Sequence, residues 1–470
     1  VPSALLTRAL VAFELVVLGY FLALNSLYLL FSIVAYVRLR QHRRRWTARE
    51  LGAVMRSPAT PAISIVAPAF NEAATIVESV RSLLLLNYPE FEVIVVNDGS
   101  TDRTLEVAVS AFGLVEAPLA YAQAIPTRPV RGVWRSIVRR DLVVIDKVNG
   151  GKADAINAGI NAARYPLVCV IDADSLLEEH ALARAVLPFI EAPETVAAGG
   201  IVRIANGCGV DRGRVTEVRV PRSPLARFQV VEYLRAFLAG RVAQSWVNGL
   251  LIISGAFGLF RREMVVAAGG FCRDTVGEDM ELVVRLHRAC RERRRPYRIV
   301  FQPDPVCWTE APEEAAALAR QRNRWQRGTL QVLARHRGMI FNPKHGIVGL
   351  ASMPYYLVFE GFGPLVEVAG YLVTLAAVPL GLLDWRFAEL LFLAAVAYGT
   401  LISLTAVVLE ELSFRRYLRV GDLLTLVLYG FLENFGYRQL TSWWRLQGIV
   451  DFLRGRQTWG TMPRRGFQEV

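Results

Sequence analysis

Leu167-Val168-Cys169-Val170-Ile171-Asp172-Ala173-Asp174 is five apolar residues running into two carboxylates set one residue apart. An apolar run of this length reads as a buried strand. Period-two alternation then puts Asp172 and Asp174 on one side of the chain where the strand ends. Two carboxylates at the end of so apolar a segment are costly without a partner. Hard oxygens at this spacing suit Mg²⁺ or Mn²⁺, with water and phosphate oxygens completing the shell. Such an ion neutralises charge on a departing diphosphate. In an open α/β sheet, the carboxyl ends of the strands are where ligands bind.

Working outward, the same grammar recurs. Ile63–Pro68 and Glu92–Val96 read as strands, separated by a helix over 73–86, and Leu142–Ile145 is a further strand. Strand and helix signals alternate to about residue 200, which predicts a mostly parallel α/β sheet. The stretch 125–141, with two prolines and five arginines, reads as a surface loop. No internal repeat or low-complexity segment interrupts the pattern.

The ends of the chain have another character. Of the 470 residues 53% are hydrophobic, and the excess gathers at the two termini. Residues 15–37 carry no charge, long enough to cross a bilayer, and Arg38, Arg40, Arg43, Arg44 and Arg45 follow at once. The positive-inside rule sets that end in the cytoplasm, with the N-terminus outside. Past residue 345, residues 346–383 read as an interfacial segment followed by a span, and 390–409 as a clear span. Residues 423–437 are shorter and hold Glu433, so the sequence leaves the side of the Trp-rich basic tail open. The divisions are thus an N-terminal transmembrane helix (1–40), a cytosolic domain (60–345), interfacial and transmembrane helices (346–440) and a basic tail (441–470). The net charge of +12 points to a membrane surface and phosphorylated ligands. No basic helix with interleaved aromatics suggests a nucleic-acid groove binder. Five cysteines without C-x-x-C spacing suit a reducing compartment.

Other candidate chemistry lies along the central domain. Pro68-Ala69-Phe70-Asn71-Glu72 follows the first strand, where Phe70 can stack on a base and Glu72 can accept from a ring N–H. Asp98, in Asn97-Asp98-Gly99-Ser100, ends the second strand, although Asp-Gly is also a turn signal. Gly150-Gly151-Lys152-Ala153-Asp154 resembles a phosphate loop entering a helix but lacks the P-loop spacing. There Lys152 can pair with a phosphate and Asp154 can orient it. Gly277-Glu278-Asp279 opens a helical run, and a carboxylate at a helix start can serve as a general base. Gln321, Arg324 and Trp325 are three and four residues apart on a basic helix and share a face. Arg324 can pair with a diphosphate, and Trp325 offers a flat surface to a sugar ring.

In this order, these motifs resemble the membrane-embedded processive family 2 glycosyltransferases, the synthases of cellulose, chitin, hyaluronan and poly-N-acetylglucosamine. The resemblance covers roughly residues 60–345 and the flanking spans. It implies the glycosyltransferase A fold, two abutting Rossmann-like halves. It also implies a UDP-sugar donor, most of all UDP-N-acetylglucosamine or UDP-glucose, and Mg²⁺ or Mn²⁺. Phe70, Glu72 and Asp98 would bind the uracil end, with Lys152 and Asp154 in the nucleotide pocket. Asp174 would bind the metal, with Asp172 beside it. Asp279 would be the general base, supported by Glu278. Gln321, Arg324 and Trp325 would hold the diphosphate and the acceptor's terminal sugar. Ser254-Gly255-Ala256-Phe257 resembles the acceptor-side loop, and Trp459-Gly460-Thr461 the gating element over the donor. Gly277 departs from the threonine the family often carries there. The implied reaction is inverting, metal-dependent transfer to a growing β-linked polysaccharide at the cytoplasmic membrane, with room for accessory export proteins. Transfer of one sugar to a lipid carrier is the alternative. A non-catalytic transport or scaffold protein would be marked by loss of the acids, yet Asp174 and Asp279 are both present.

Overall fold

The computed structural model describes residues 4–45, 48–173, 175–211, 213–382 and 384–456; Asp174 and Trp459 lie outside them. The centre of the domain is a ten-stranded sheet. Its strands are β1 (Ile63–Ala69), β2 (Phe91–Asn97), β3 (Leu114–Glu116), β4 (Val130–Ser136), β5 (Leu142–Lys147), β6 (Leu167–Ile171), β7 (Leu176–Leu177) and β8 (Thr195–Ile204), followed by a separate small ribbon of β9 (Gly209–Asp211) and β10 (Arg214–Glu217), and then β11 (Phe257–Arg261) and β12 (Arg298–Thr309). The spatial order is β3-β4-β5-β2-β1-β6-β11-β8-β12-β7.

β5, β2, β1 and β6 run parallel, as their short apolar runs and intervening helices predict. β8 and β12 form a second parallel pair. The two halves abut through β11, which is antiparallel to both β6 and β8. This is the glycosyltransferase A arrangement. β1, β2, β5 and β6 are buried almost throughout because helices or other strands cover both faces.

One expectation fails in the 125–141 stretch, where β4 pairs antiparallel with β5 and forms part of the sheet. Its arginines had suggested a loop. Near the sheet edge, however, Val133 is buried while Arg131, at a register shift, is exposed and pairs with Asp146, a half-solvated pattern the proline and charge signals obscured.

The helix Ala4–Arg45 is continuous from the apolar N-terminal segment into the domain. Ala35 and Leu39 join the main core, Arg38 lies 4.6 Å from the Trp246 ring centroid, and His42 Nε2 meets Asp304 Oδ2 at 2.7 Å. Among the described residues three helical segments are long and apolar enough to cross a membrane: Arg8–His42, Val348–Ala377 and Trp385–Ser413. Val420–Leu432 is only 13 residues, ~20 Å of helix against a hydrocarbon core of ~30 Å. It forms a hairpin with Tyr437–Leu453. Both ends of the hairpin meet the domain, through Arg419–Glu217 at 2.9 Å and Asp451–Asn323 at 2.9 Å. At its tip, Asn434 bonds Thr400 and Glu433 accepts from Ser403, both midway along the Trp385–Ser413 segment. Asp451, within the 441–470 stretch, thus contacts the domain's helix Ala315–Arg335 through Asn323.

Candidate active site

The end of β6 is the centre of the site. Because β11 runs antiparallel to β6, Phe257 pairs with Ile171, and the loop before β11 is delivered beside Asp172. The helix Lys152–Ala162 begins at the same rim. Lys152 Nζ lies 2.5 Å from Asp172 Oδ1 and 3.5 Å from Glu278 Oε1. Burial works against its charge, but Asp172, Glu278 and Asp279 outweigh it and hold the ammonium well above its ordinary range. Glu278 is pushed up to about 7, chiefly by burial, with Lys152 opposing and Asp279 adding to the rise.

Asp279, in the first turn of Glu278–Glu292, is held by two backbone donors. Gly255 N–H donates to Oδ2 at 3.1 Å and Met280 N–H to Oδ1 at 2.8 Å. A Cβ on Gly255 would stand 2.8 Å from Lys152 Nζ, so a side chain there would push the ammonium from its place beside Asp172 and Asp279. Gly277 explains the departure from threonine, since a Cβ there would come within 3.0–3.3 Å of the Gly328 backbone. Gly328 lies on the helix Ala315–Arg335, which carries Gln321, Arg324 and Trp325. This glycine-to-glycine approach brings the acid and the basic-aromatic helix together. The sequence reading missed Gly328, because a lone glycine in a helix does not name its partner.

A cavity of about 570 Å³ joins these parts, lined at one end by Lys152, Asp172, Gly255, Asp279, Gln321, Arg324 and Trp325. Trp325 is 43% exposed. The cavity continues to Tyr20, Glu360, Glu367, Tyr371, Ser442 and Arg445 on the apolar helices and the hairpin. There Tyr20 and Ser442 both donate to Glu367, and Arg445 Nη2 meets Glu360 Oε2 at 2.8 Å. Arg241, which the sequence reading also missed, lines the wall beside Ile252 and Asp279 with its guanidinium 3.8 Å from the Phe237 ring centroid.

Five predicted contact residues lie outside the cavity lining. Asp98 is 3% exposed and fully engaged. Its Oδ1 takes Lys147 Nζ at 2.6 Å and Gly150 N–H at 3.0 Å, and its Oδ2 takes Gly151 N–H at 2.7 Å. It therefore anchors the 150–151 loop rather than presenting a free carboxylate to a base. Asp154 is buried against Lys147, Arg273 and the Arg128 N–H. Burial works to raise its carboxyl, but those hydrogen bonds hold it below the usual range. Phe257 is fully buried as the first residue of β11, so it packs the sheet while Ser254, Gly255 and Ala256 line the cavity. Phe70 is half-exposed after β1, and Glu72 accepts from Thr75 Oγ1 at 2.7 Å; neither lines the cavity.

Asp172, with Asp174 next but one in sequence, would hold a divalent ion only by releasing its 2.5 Å pairing with Lys152. Among the described residues no three carboxylate, histidine or cysteine side chains converge. The remaining ligands would thus be a donor's own phosphates and water, as hard cations accept.

The sheet thus brings Lys152, Asp172, Asp279 and Trp325 to one cavity at its rim. The Glycosyltransferase like family 2 model matches residues 127–328 and the Glycosyl transferase family 2 model residues 64–116, so these two stretches are similar to family 2 glycosyltransferases. The poly-beta-1,6-N-acetyl-D-glucosamine synthase of Staphylococcus epidermidis is 29% identical over 274 residues, 58% of this chain and 56% of the relative. That of Staphylococcus aureus (strain COL) is 28% identical over the same shares. The chain thus spans about half the length of the curated relatives it matches. A mannosyltransferase from Pyrobaculum calidifontis, solved with GDP-Man and Mn²⁺, shares the fold with a TM-score of 0.53 at 19% identity, covering 90% of this chain and 99% of that one.

Proposed function

We propose that this chain transfers a sugar, N-acetylglucosamine in the first place, from its UDP-sugar to the end of a growing β-linked polysaccharide at the cytoplasmic membrane, with inversion. The carrying observation is the single cavity that runs from Asp279 past Trp325 to polar side chains on the apolar helices. A hydroxyl-rich chain needs such a polar path, whereas a lipid tail would be served by an apolar one. The names of the two staphylococcal relatives argue for N-acetylglucosamine.

In this reading the acceptor hydroxyl gives its proton to Asp279. Its oxygen bonds to the anomeric carbon as the bond to the diphosphate breaks, and UDP leaves. The Gly255 and Met280 N–H groups keep the carboxylate aimed. Lys152 and Arg324 face the diphosphate, and Gln321 and Trp325 the terminal sugar. Mg²⁺ or Mn²⁺ held by Asp172 and Asp174 would supply charge neutralisation at the leaving group. The catalytic domain faces the cytoplasm, where nucleotide sugars are made.

The test is a panel of UDP-N-acetylglucosamine, UDP-glucose and UDP-glucuronate offered to protein in proteoliposomes, with UDP release and product mass measured. A long polymer from UDP-N-acetylglucosamine is expected. A single sugar on a lipid extract would replace this reading with the lipid-carrier one, and no turnover of any donor would overturn both.

A further inference from the structure

Arg322 lies inside the Gln321–Trp325 motif but engages the protein. It is 3% exposed, and its guanidinium carbon stands 4.5 Å from the centroid of the Trp325 ring. Its Nη2 donates to Glu232 Oε2 at 2.8 Å, and the Tyr437 hydroxyl donates to that same oxygen at 2.8 Å. Tyr437 is the first residue of the hairpin's return helix, and its ring stacks on Phe228 with centroids 4.6 Å apart at 17°. One carboxylate oxygen therefore joins three elements: the helical run 224–246, the hairpin, and the helix that carries Trp325.

We infer that Glu232 and Arg322 are positioning residues that set the pose of the Trp325 indole and tie it to the membrane hairpin. This rests on the reading of Trp325 as the acceptor platform. A guanidinium stacked on one face of the indole leaves the opposite face for a sugar ring. A planar fork held by a carboxylate does this with little freedom, which a lysine ammonium cannot match. An acceptor sugar resting on a tilted indole presents its hydroxyl off line to Asp279, and a displacement of ~1 Å can cost ~100-fold in rate. Release of UDP to water does not need the platform. The clamp therefore governs the fraction of donor turnovers that extend a chain.

The test uses the full chain in nanodiscs with Arg322→Lys, Glu232→Gln and Tyr437→Phe, conservative changes chosen to keep the fold. Two quantities are read: sugars incorporated per UDP released, and hydroxyl-radical oxidation of Trp325 without substrate, resolved by mass spectrometry. We expect the incorporation ratio to fall by ~10-fold in Arg322→Lys and Glu232→Gln, consistent with a sub-ångström misplacement. Product length should shorten and Trp325 oxidation should change, with Tyr437→Phe intermediate. An unchanged ratio and unchanged oxidation in the first two variants would overturn the inference. So would a parallel fall of incorporation and UDP release with a lowered apparent Tm, which would make the cluster structural. If the wild-type protein extends no chain, the polymer reading fails by itself. The oxidation pattern then decides the clamp, a change upholding it and no change overturning it.

Discussion

The Gly255 backbone N–H donates to Asp279 Oδ2 at 3.1 Å, so the loop before β11 is tied directly to the candidate base. Asp279→Asn keeps the shape and an acceptor oxygen for that contact but cannot take a proton. Turnover is expected to fall by ~10²–10⁴, the usual contribution of a general base, while UDP affinity changes little. Steady-state kinetics and calorimetric UDP titration check this, and near-normal turnover would remove Asp279 from the role.

Activity is expected to need a divalent cation. An ion that stabilises the leaving group by several kcal/mol corresponds to ~100-fold or more in rate. Excess EDTA should abolish UDP release and Mg²⁺ or Mn²⁺ should restore it, while Asp174→Ala and Asp172→Ala should each resist rescue. Full turnover in EDTA would exclude the metal.

Glu278 makes stability depend on pH. Its folded carboxyl is raised to about 7 from an ordinary 4.5, so as pH rises the unfolded chain ionises first. The stability of the neutral, buried form is fully present below about 4.5 and is lost as pH rises through about 7. Glu278→Gln removes that loss. Its apparent Tm in detergent should exceed that of the wild type above pH 7, with the advantage vanishing at low pH. Equal Tm values across the whole range would refute the coupling.

The topology is checked at Val138, which is 87% exposed after β4. In a background stripped of native cysteines, Val138→Cys should resist impermeant thiol reagents in intact cells and react after lysis. Five arginines between residues 38 and 45 motivate this. Ready labelling in intact cells would invert the proposed orientation.

Much of the site was legible from local rules. Asp172, Asp279 and Trp325, which line one cavity, could be singled out because a strand end, a helix start and a helix face each follow from short-range periodicity. Asp98 and Asp154 were read as ligand contacts, and sequence does not show that both pair with Lys147, which is 0% exposed. β4 was hidden because a half-solvated strand near a sheet edge carries arginines that also mark loops.

The sequence by itself determined the alternating α/β domain, the apolar spans and the acidic and aromatic motifs, since each depends on residues a few positions apart. Only the tertiary structure decided which motifs meet. The antiparallel β11 carries Gly255 to Asp279, and Gly277 against Gly328 seats Asp279 beside the Trp325 helix. The hairpin then joins Tyr437 to Glu232 and Arg322. These contacts link residues far apart in the chain, and they depend on register and close backbone approach, which no local pattern encodes.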